Sequence, residues 1–486
     1  METNYIEKIK TQFKYVSLNS EGLIRDLYKY IEDGDINGAV GLMDNNDKEV
    51  DNAIREYNPQ THPVMNRPNK PRKNMPTYIT EKLPRTKQRY INEIELFFLL
   101  GKPLVWKMVE GDDEAYRVYL RYWDKFRMDS HLRKAKRLAG AETESSLVFH
   151  LSKRGDSINV KPFIAARSTG YKLRPLFDQY GDLVALAYGY CLREGKKNIK
   201  HWDILTADFT FYCAQRETGW QVDTYENPTR KINAVYFKQQ KAWDGVVPRL
   251  EREEKLDSKV GDTNNYFADP KAQATADVVQ SISDPDIAGN LIQLTGKESR
   301  FEYINPPTNS ATRQDEKMDL QKSIFFDTFT PDFSYESIKG LGTLSGAAIH
   351  NALVLGYIKC DNRKEIYGEM IDRLRSVLME ILKLIEPTYA TQFDKLVLEF
   401  EFQDPFATQS DKWDGIIKLY KAGLCSLETA VKEVALVDNI DEEVDRILCA
   451  AAELEAAKLE AQKTSEEMSA FEKAQAQQKA EEGGAA

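Results

Sequence analysis

The chain has 486 residues, 42% of them hydrophobic and 30% charged, with a formal net charge of −10. That length allows two or three soluble domains with ample core, and the longest apolar run, Ile94 to Leu100, falls far short of the roughly 20 residues that span a bilayer. The acidic balance argues against a protein that grips nucleic acid by neutralising phosphates, which needs a basic face and usually a high pI.

The first 100 residues predict short amphipathic helices over Tyr5 to Tyr15 and Gly22 to Asp33, with no apolar core of a signal peptide at the start, so folding in the cytoplasm is expected. A proline-rich segment, Pro59 to Pro84, holds the one basic cluster along the chain, Arg67 to Arg72, and reads as a solvated loop. A helical pattern then runs through Tyr90, Ile91, Ile94 and Phe97 to a stop at Gly101-Lys102-Pro103, and another, highly charged, covers Glu114 to Ala139.

Residues 145 to 250 read as antiparallel β structure. SSLVFHLSK, INVKPFIAA, DLVALAYGYCL, DILTADFTFYC, WQVDTYE and INAVYFKQ are rich in Val, Ile, Phe and Tyr and are separated by Gly, Asn and Asp turns. No helix of crossover length alternates with them, so a parallel sheet is not indicated.

From Asp269 a helix is expected over PKAQATADVVQSIS, then a hairpin of NLIQLTG and RFEYINPP, then a helix over Glu316 to Thr328 ended by Pro331. The glycine-rich stretch SIKGLGTLSGAAI (Ser337 to Ile349) opens a long helical tract reaching Ile385, with Gly356 and Asp361-Asn362 as candidate kinks. LVLEFEF, Leu396 to Phe402, alternates like a strand. Beyond Pro405 the pattern is helical, with Gly423 as a C-cap and Ser426 and Asp441 as N-caps, until an Ala/Glu/Lys/Gln tail expected to be disordered.

Chemistry is hard to find. A phosphate-binding P-loop needs its lysine directly after the last glycine, but Ala347 follows Gly346, and Lys339 precedes the glycines. A dinucleotide fingerprint needs a strand before the glycines, where this chain has a helix and Pro331. The five cysteines and five histidines are scattered without metal-ligand spacing, and pairs such as Glu253-Glu254 and Glu442-Glu443 read as solvated helix faces. No catalytic residue, metal or cofactor is called for. Glycines between two helices suit a joint better than a cradle.

The order of segments resembles the portal proteins of tailed bacteriophages, in the family that includes siphophages with SPP-type heads. IELFFLLGKPLVWK (Ile94 to Lys107), RPLFDQYGDLVALAYGY (Arg174 to Tyr190), LEREEKLDSKVGDTNNYFADP (Leu250 to Pro270), FTPDFSYESIKGLGTLSGAAI (Phe329 to Ile349) and YKAGLCSLETAVKEVALVDNIDEEVDRI follow one another in that family's order, over roughly residues 90 to 450. The proline-rich segment and the tail beyond about residue 465 have no firm counterpart.

The resemblance implies an α+β portal fold with a helical stem, a small β clip, a mixed α/β wing and an all-helical crown. Its projection is wing over 1–268, stem helices over 269–283 and 316–330, and clip over 284–315. The tunnel loop would be 331–344, the long wing helix and a strand 345–404, the crown 405–464, and a disordered tail 465–486. It implies a non-enzymatic homododecameric ring at one capsid vertex, a conduit for double-stranded DNA in packaging and ejection. Its partners would be the large terminase subunit, a head-completion adaptor, and capsid and scaffolding proteins, with no membrane. The tunnel loop would present Phe333, Tyr335, Lys339, Gly340, Leu341 and Gly342 to the channel, with Ser345 and Gly346 anchoring the following helix. Phe301 and Tyr303 would make clip contacts. A ring-forming structural or adaptor protein without DNA traffic, and a nucleotide-dependent enzyme using the glycine loop, are the alternatives.

Overall fold

The computed structural model describes residues 20–72, 75–155, 157–268, 272–275, 278–280, 293–295, 300–303, 310–334, 339, 353–407, 409–434 and 440–458. The chain divides into two compact units, Met1–Pro405 and Phe406–Ala486.

The first three strands are short: β1 is Lys70–Arg72, β2 Met75–Tyr78 and β3 Val105–Glu110. The β region proper follows, with β4 Glu144–Arg154, β5 Ser157–Ala165, β6 Lys172–Phe177, β7 Leu183–Glu194, β8 Lys197–Leu205, β9 Phe209–Arg216, β10 Gly219–Glu226 and β11 Ala234–Lys238. It forms as its alternation predicts, in two antiparallel sheets among the described residues. One is a meander of β10-β9-β8-β7-β6 and the other has the order β11-β4-β5. DILTADFTFYC, one run in the sequence, is two strands that turn at Thr206, whose hydroxyl donates to the Phe209 carbonyl and accepts its N–H. Pro175 sits in β6, an edge strand of the meander, where a missing N–H costs no central ladder bond.

The period of two decides what each face covers. Ala185, Ala187, Ile204, Phe211 and Cys213 turn to the helices α1 (20–32) and α2 (Ile36–Gly41), which α3 (Asp47–Tyr57) and α4 (Lys87–Leu100) follow in the chain, burying Leu27, Ile31 and Ile36. Leu186, Tyr188 and Leu205, on the opposite face, pack with Val148, Ala165 and Tyr236 of the second sheet. Asp203 is buried in this aromatic layer, where Tyr190 Oη donates to both its oxygens at 3.2 Å. Burial pushes its carboxyl up to about 6, against the pull of the Tyr188 and Tyr190 hydroxyls.

The elements differ from expectation in three places here. The charged run Glu114 to Ala139 is two helices, α5 (Asp113–Lys125) and α6 (Met128–Glu142), broken at Arg127, which holds a left-handed φ of +51°. The helix expected over Asp269 to Ser283 does not form among the described residues. Its residues Ala272–Thr275 and Val278–Gln280 are strands β12 and β13, and the helix lies before them, as α7, Val247–Ala268. Pro270 bars the helix from running on, and Thr275, Val278 and Val279 are β-branched and fit a pleated ladder better than a helix. The pair NLIQLTG and RFEYINPP is likewise not a hairpin: β14 (Gln293–Thr295) pairs with β13, and β15 (Arg300–Tyr303) with β12, both antiparallel.

A further helix, α8, Ser310–Asp327, returns beside α7. Arg252 of α7 reaches Glu316 at 2.7 Å, and Lys317 reaches Asp257 at 2.8 Å. Glu253 and Glu254 are not on a solvated face. Both are buried: Glu253 takes Lys87 at 2.7 Å, and Glu254 takes the His62 ring at 2.7 Å and the Arg85 N–H at 2.8 Å. The proline-rich segment is correspondingly a strap along α7 rather than a free loop. It contains the short hairpin of β1 and β2, and Asp262 receives Arg67 at 2.6 Å, the Tyr78 hydroxyl at 3.2 Å and the Glu81 N–H at 2.8 Å. The apolar and charged side chains of α7 supply this seat, a long-range pairing that no local pattern in the prolines announces.

The strand expected at Leu396 to Phe402 is Val397–Glu401, paired antiparallel with β3. In the second unit, helices Gln409–Lys421, Leu427–Val434 and 440–458 follow the predicted order. Gly423 takes φ +70° after the first, and Ser426 Oγ accepts the Thr429 N–H at 3.1 Å to cap the second.

Candidate functional site

The glycine segment leaves α8 and returns in the helix Val354–Ile385, and the described residues at its two ends define its base. Helix α8 stops by its own backbone chemistry. Phe329 adopts φ +48°, the Phe329 N–H donates to the Phe326 carbonyl at 3.1 Å, and the Thr330 N–H donates to the Phe325 carbonyl at 2.8 Å. This is the Schellman pattern, normally given to glycine at the left-handed position, with Pro331 just beyond it. Thr328 Oγ1 also donates to the Ile324 carbonyl at 2.8 Å, tightening the last turn.

Helix α4, Lys87–Leu100, holds both ends of the segment. At the exit, Tyr90 Oη donates to the Pro331 carbonyl at 2.9 Å and accepts the Phe333 N–H at 2.8 Å. The Tyr90 ring also packs on Phe325, with centroids 5.5 Å apart. At the return, the buried Phe98 ring lies edge-on to Tyr357 at 5.3 Å, and Cys360 Sγ donates to the Phe98 carbonyl at 3.3 Å. Phe98 also touches the exit side, 6.4 Å from the Phe333 ring. Tyr90 and Phe98 are eight residues apart on the helix, about 12 Å at 1.5 Å per residue.

Gly356 is not a kink, and the helix Val354–Ile385 runs unbroken through Asp361-Asn362. Glycine is required at 356 for space: a Cβ there would stand 2.4 Å from the Phe98 ring.

Between Tyr90 and Phe98 sits Glu95, fully buried. Lys136 of α6 donates to its Oε1 at 2.5 Å, Arg363 reaches the same oxygen at 3.1 Å, and Lys359 reaches Oε2 at 3.2 Å. Gln239 adds a bond at 3.1 Å, and its amide oxygen accepts from Tyr367 at 2.6 Å. Burial alone would raise the Glu95 carboxyl, but the three cations hold it well below the usual carboxylate range. Burial pulls Lys359 down to about 8 despite Glu95. The cluster ties α4, α6 and the long helix together at the foot of the segment.

Of the residues singled out from the sequence, Phe333 is half-buried at this base and Lys339 is exposed. Tyr335, Gly340, Leu341, Gly342, Ser345 and Gly346 lie outside the described residues. Phe301 and Tyr303 stand in β15, in register with Ala274 and Ala272 of β12. The sequence pattern does not mark Tyr90, Glu95 or Phe98 as site residues. One signal is present in it: Glu95 is a lone carboxylate flanked by the apolar residues of IELFFLL, and a charge there demands a buried partner. Among the described residues no group of acidic, His and Cys side chains could hold a metal ion, and no helix is long and apolar enough to cross a membrane.

A family model described as "Phage portal protein, SPP1 Gp6-like" matches residues 43–458. No curated protein matches the chain. Among solved structures, one described as the neck of an empty GTA particle computed with C6 symmetry is similar over 73% of this chain and 90% of its own, at 10% identity and a TM-score of 0.42. Another, the neck of a native GTA particle computed with C12 symmetry, is similar over 81% of this chain and 95% of its own, at 10% identity and a TM-score of 0.41.

Proposed function

The chain belongs to the SPP1 Gp6-like phage portal protein family, a family of structural proteins, and we propose that it forms a homododecameric ring at one vertex of a phage capsid. The ring is the conduit through which double-stranded DNA enters during packaging and leaves during ejection. It docks the large terminase subunit during packaging and a head-completion adaptor afterwards, and it meets capsid and scaffolding proteins during assembly in the host cytoplasm. The family match over 43–458 is the observation that carries this reading.

Within that reading the parts take the following roles. The antiparallel pair α7 and α8 is the stem, replacing the stem helix first expected over 269–283. The strands β12 to β15 between them are the clip, with Phe301 and Tyr303 as partner contacts. The two β-sheets with their covering helices and the long helix form the wing, and the helices beyond Pro405 the crown. The segment 331–344 is the tunnel loop, with Phe333, Tyr335, Lys339, Gly340, Leu341 and Gly342 toward the channel and Ser345 and Gly346 at the helix that anchors it. A single cation such as Lys339 gives a weak, salt-screened contact with phosphates, which suits a conduit that must let DNA slide.

Electron microscopy of the purified full chain, without added nucleotide or metal, tests the reading. A closed ring with an axial channel and no ATPase activity is expected. A monomer at every salt concentration overturns it.

A further inference from the structure

Both feet of the proline-rich strap meet at one atom. Glu254 Oε1, on α7, takes the His62 ring at 2.7 Å and accepts the Arg85 N–H at 2.8 Å. His62 lies near the start of the strap and Arg85 directly follows its end, so a single carboxylate oxygen holds the segment at both sides. His62 is presented stiffly, between two short helical turns, Pro59–Thr61 and Pro63–Asn66, each opened by a proline.

The geometry at His62 fixes its charge. Nδ1 faces the Glu254 carboxylate, and Nε2 lies 2.8 Å from the Glu56 carbonyl at the end of α3. A carboxylate and a carbonyl only accept, so both ring nitrogens carry protons and the ring is an imidazolium. The Arg85 N–H on the same Glu254 oxygen favours the ionised carboxyl, which leaves the proton on the ring. The two side chains are only 4% and 3% exposed.

The other charged groups at this seam are matched elsewhere. The Glu56 carboxylate takes Lys241 at 2.8 Å and Trp243 Nε1 at 2.9 Å, and Glu253 takes Lys87 at 2.7 Å. The Arg85 guanidinium pairs with Asp257, Arg67 with Asp262, and Arg55 bonds Asn52. Glu251, one turn before Glu254, adds its negative field. Burial disfavours the charged ring, but Glu254, the Glu56 carbonyl and Glu251 outweigh it and hold His62 above its ordinary value of 6.5. A cleft of about 230 Å³ opens beside the pair, lined by Asn52, Arg55, Gln88 and Glu251 as well as the pair itself, and gives the buried proton a path to solvent.

We infer that His62 is a proton-operated latch: protonated, it fastens the start of the strap to α3 and α7, and on losing its proton it releases that foot. A neutral imidazole has one N–H and one lone pair. Either the Glu254 carboxylate or the Glu56 carbonyl would then face a lone pair in a buried place, which costs more than the bond alone and is relieved when the ring leaves. Val64, buried beside it, would be uncovered with it. Because the folded value is raised, the latch is complete below 6.5 and is lost as pH rises through the raised value. The rest of the strap stays held, by Asp262 and by Ser258 Oγ, which accepts the Leu83 N–H at 3.0 Å.

Hydrogen exchange of the full chain, followed by mass spectrometry from about pH 6 to about pH 10 and corrected for intrinsic rates, tests this. The Thr61, Met65 and Arg67 amides, bonded within the two turns, are the reporters. Their protection should hold at low pH and then fall about tenfold per pH unit, the slope of one proton. His62→Gln should be poorly protected there at every pH. Glu254→Gln offers an amide N–H to a neutral ring and an oxygen to Arg85, so its foot should stay protected at the alkaline end where the wild type has opened. Nitrogen-15 solid-state NMR of the histidine-labelled wild type should show protons on both ring nitrogens at about pH 7, in the signals that His62→Gln lacks. One protonated nitrogen at that pH, a wild-type foot without a pH step, or a step shared by the amides of the helix Val354–Ile385 overturns the latch.

Discussion

Tyr90 and Phe333 are joined by a hydrogen bond of 2.8 Å in which the tyrosine hydroxyl accepts a backbone N–H, while the same hydroxyl donates to the Pro331 carbonyl at 2.9 Å. One side chain thus satisfies two main-chain groups just after a helix has ended. Tyr90→Phe keeps the ring contact with Phe325 and removes only the bridge. The loss should be about 1 kcal/mol, seen as roughly fivefold faster exchange of the Phe333 amide. Unchanged exchange would show that the bridge does not hold the segment.

Gly356→Ala places a methyl against the buried Phe98 ring, at 2.4 Å before relaxation. A destabilisation of about 1–3 kcal/mol is expected, the usual range for overpacking. Adding Phe98→Leu should recover part of it, and urea denaturation of the two variants checks the coupling.

Glu95→Gln leaves Lys136, Lys359 and Arg363 facing one another without their shared counter-charge. Breaking a buried charge cluster from one side costs about 3–5 kcal/mol. The urea midpoint should fall accordingly, and the double change Glu95→Gln with Lys136→Met should be less destabilising than the single one.

Asp203 supplies a pH signature. Folded, it keeps its proton up to about pH 6, whereas the ordinary value is 3.8. Between those values the folded chain binds more protons than the unfolded one. Its contribution to stability is therefore complete below 3.8 and lost as pH rises through 6. Asp203→Asn cannot titrate, so its stability relative to wild type should rise from pH 4 to pH 7 and then level off, as measured by denaturation across that range.

Gly340 and Gly342 changed together to Val should leave rings intact and impair DNA packaging or retention, with Lys339→Glu giving a milder defect. A packaging assay on assembled particles reads both. Wild-type packaging and retention by both variants would remove the segment from the channel.

Much of the fold was legible where the period of burial is local. The alternation in β4 to β11 and the long run from Val354 to Ile385 each carry a face that must be covered, and the pattern reads out directly. Legibility failed where a partner far along the chain decides. Ala272–Thr275 has helical composition locally, but its ladder with Arg300–Tyr303 wins. Glu253 and Glu254 look like a solvated pair until Lys87 and His62 arrive from α4 and the strap. The site shows the same division. Its glycines announce a joint, whereas the residues that hold it, Tyr90, Glu95 and Phe98, act across more than 200 residues of chain through contacts with Pro331, Lys359 and Gly356.

Because both ends of the glycine segment are fastened to α4, their separation is set by a rigid rod rather than by the segment itself. A load at either described end is taken up by α4, at Tyr90 and at Phe98. Glu95 lies between those two fastenings, nearer Phe98, and its three cations lead into α6 and the long helix. The helix is thus a beam clamped between two loaded points, and a load at either of them is shared with α6 and the long helix instead of bending one turn of chain.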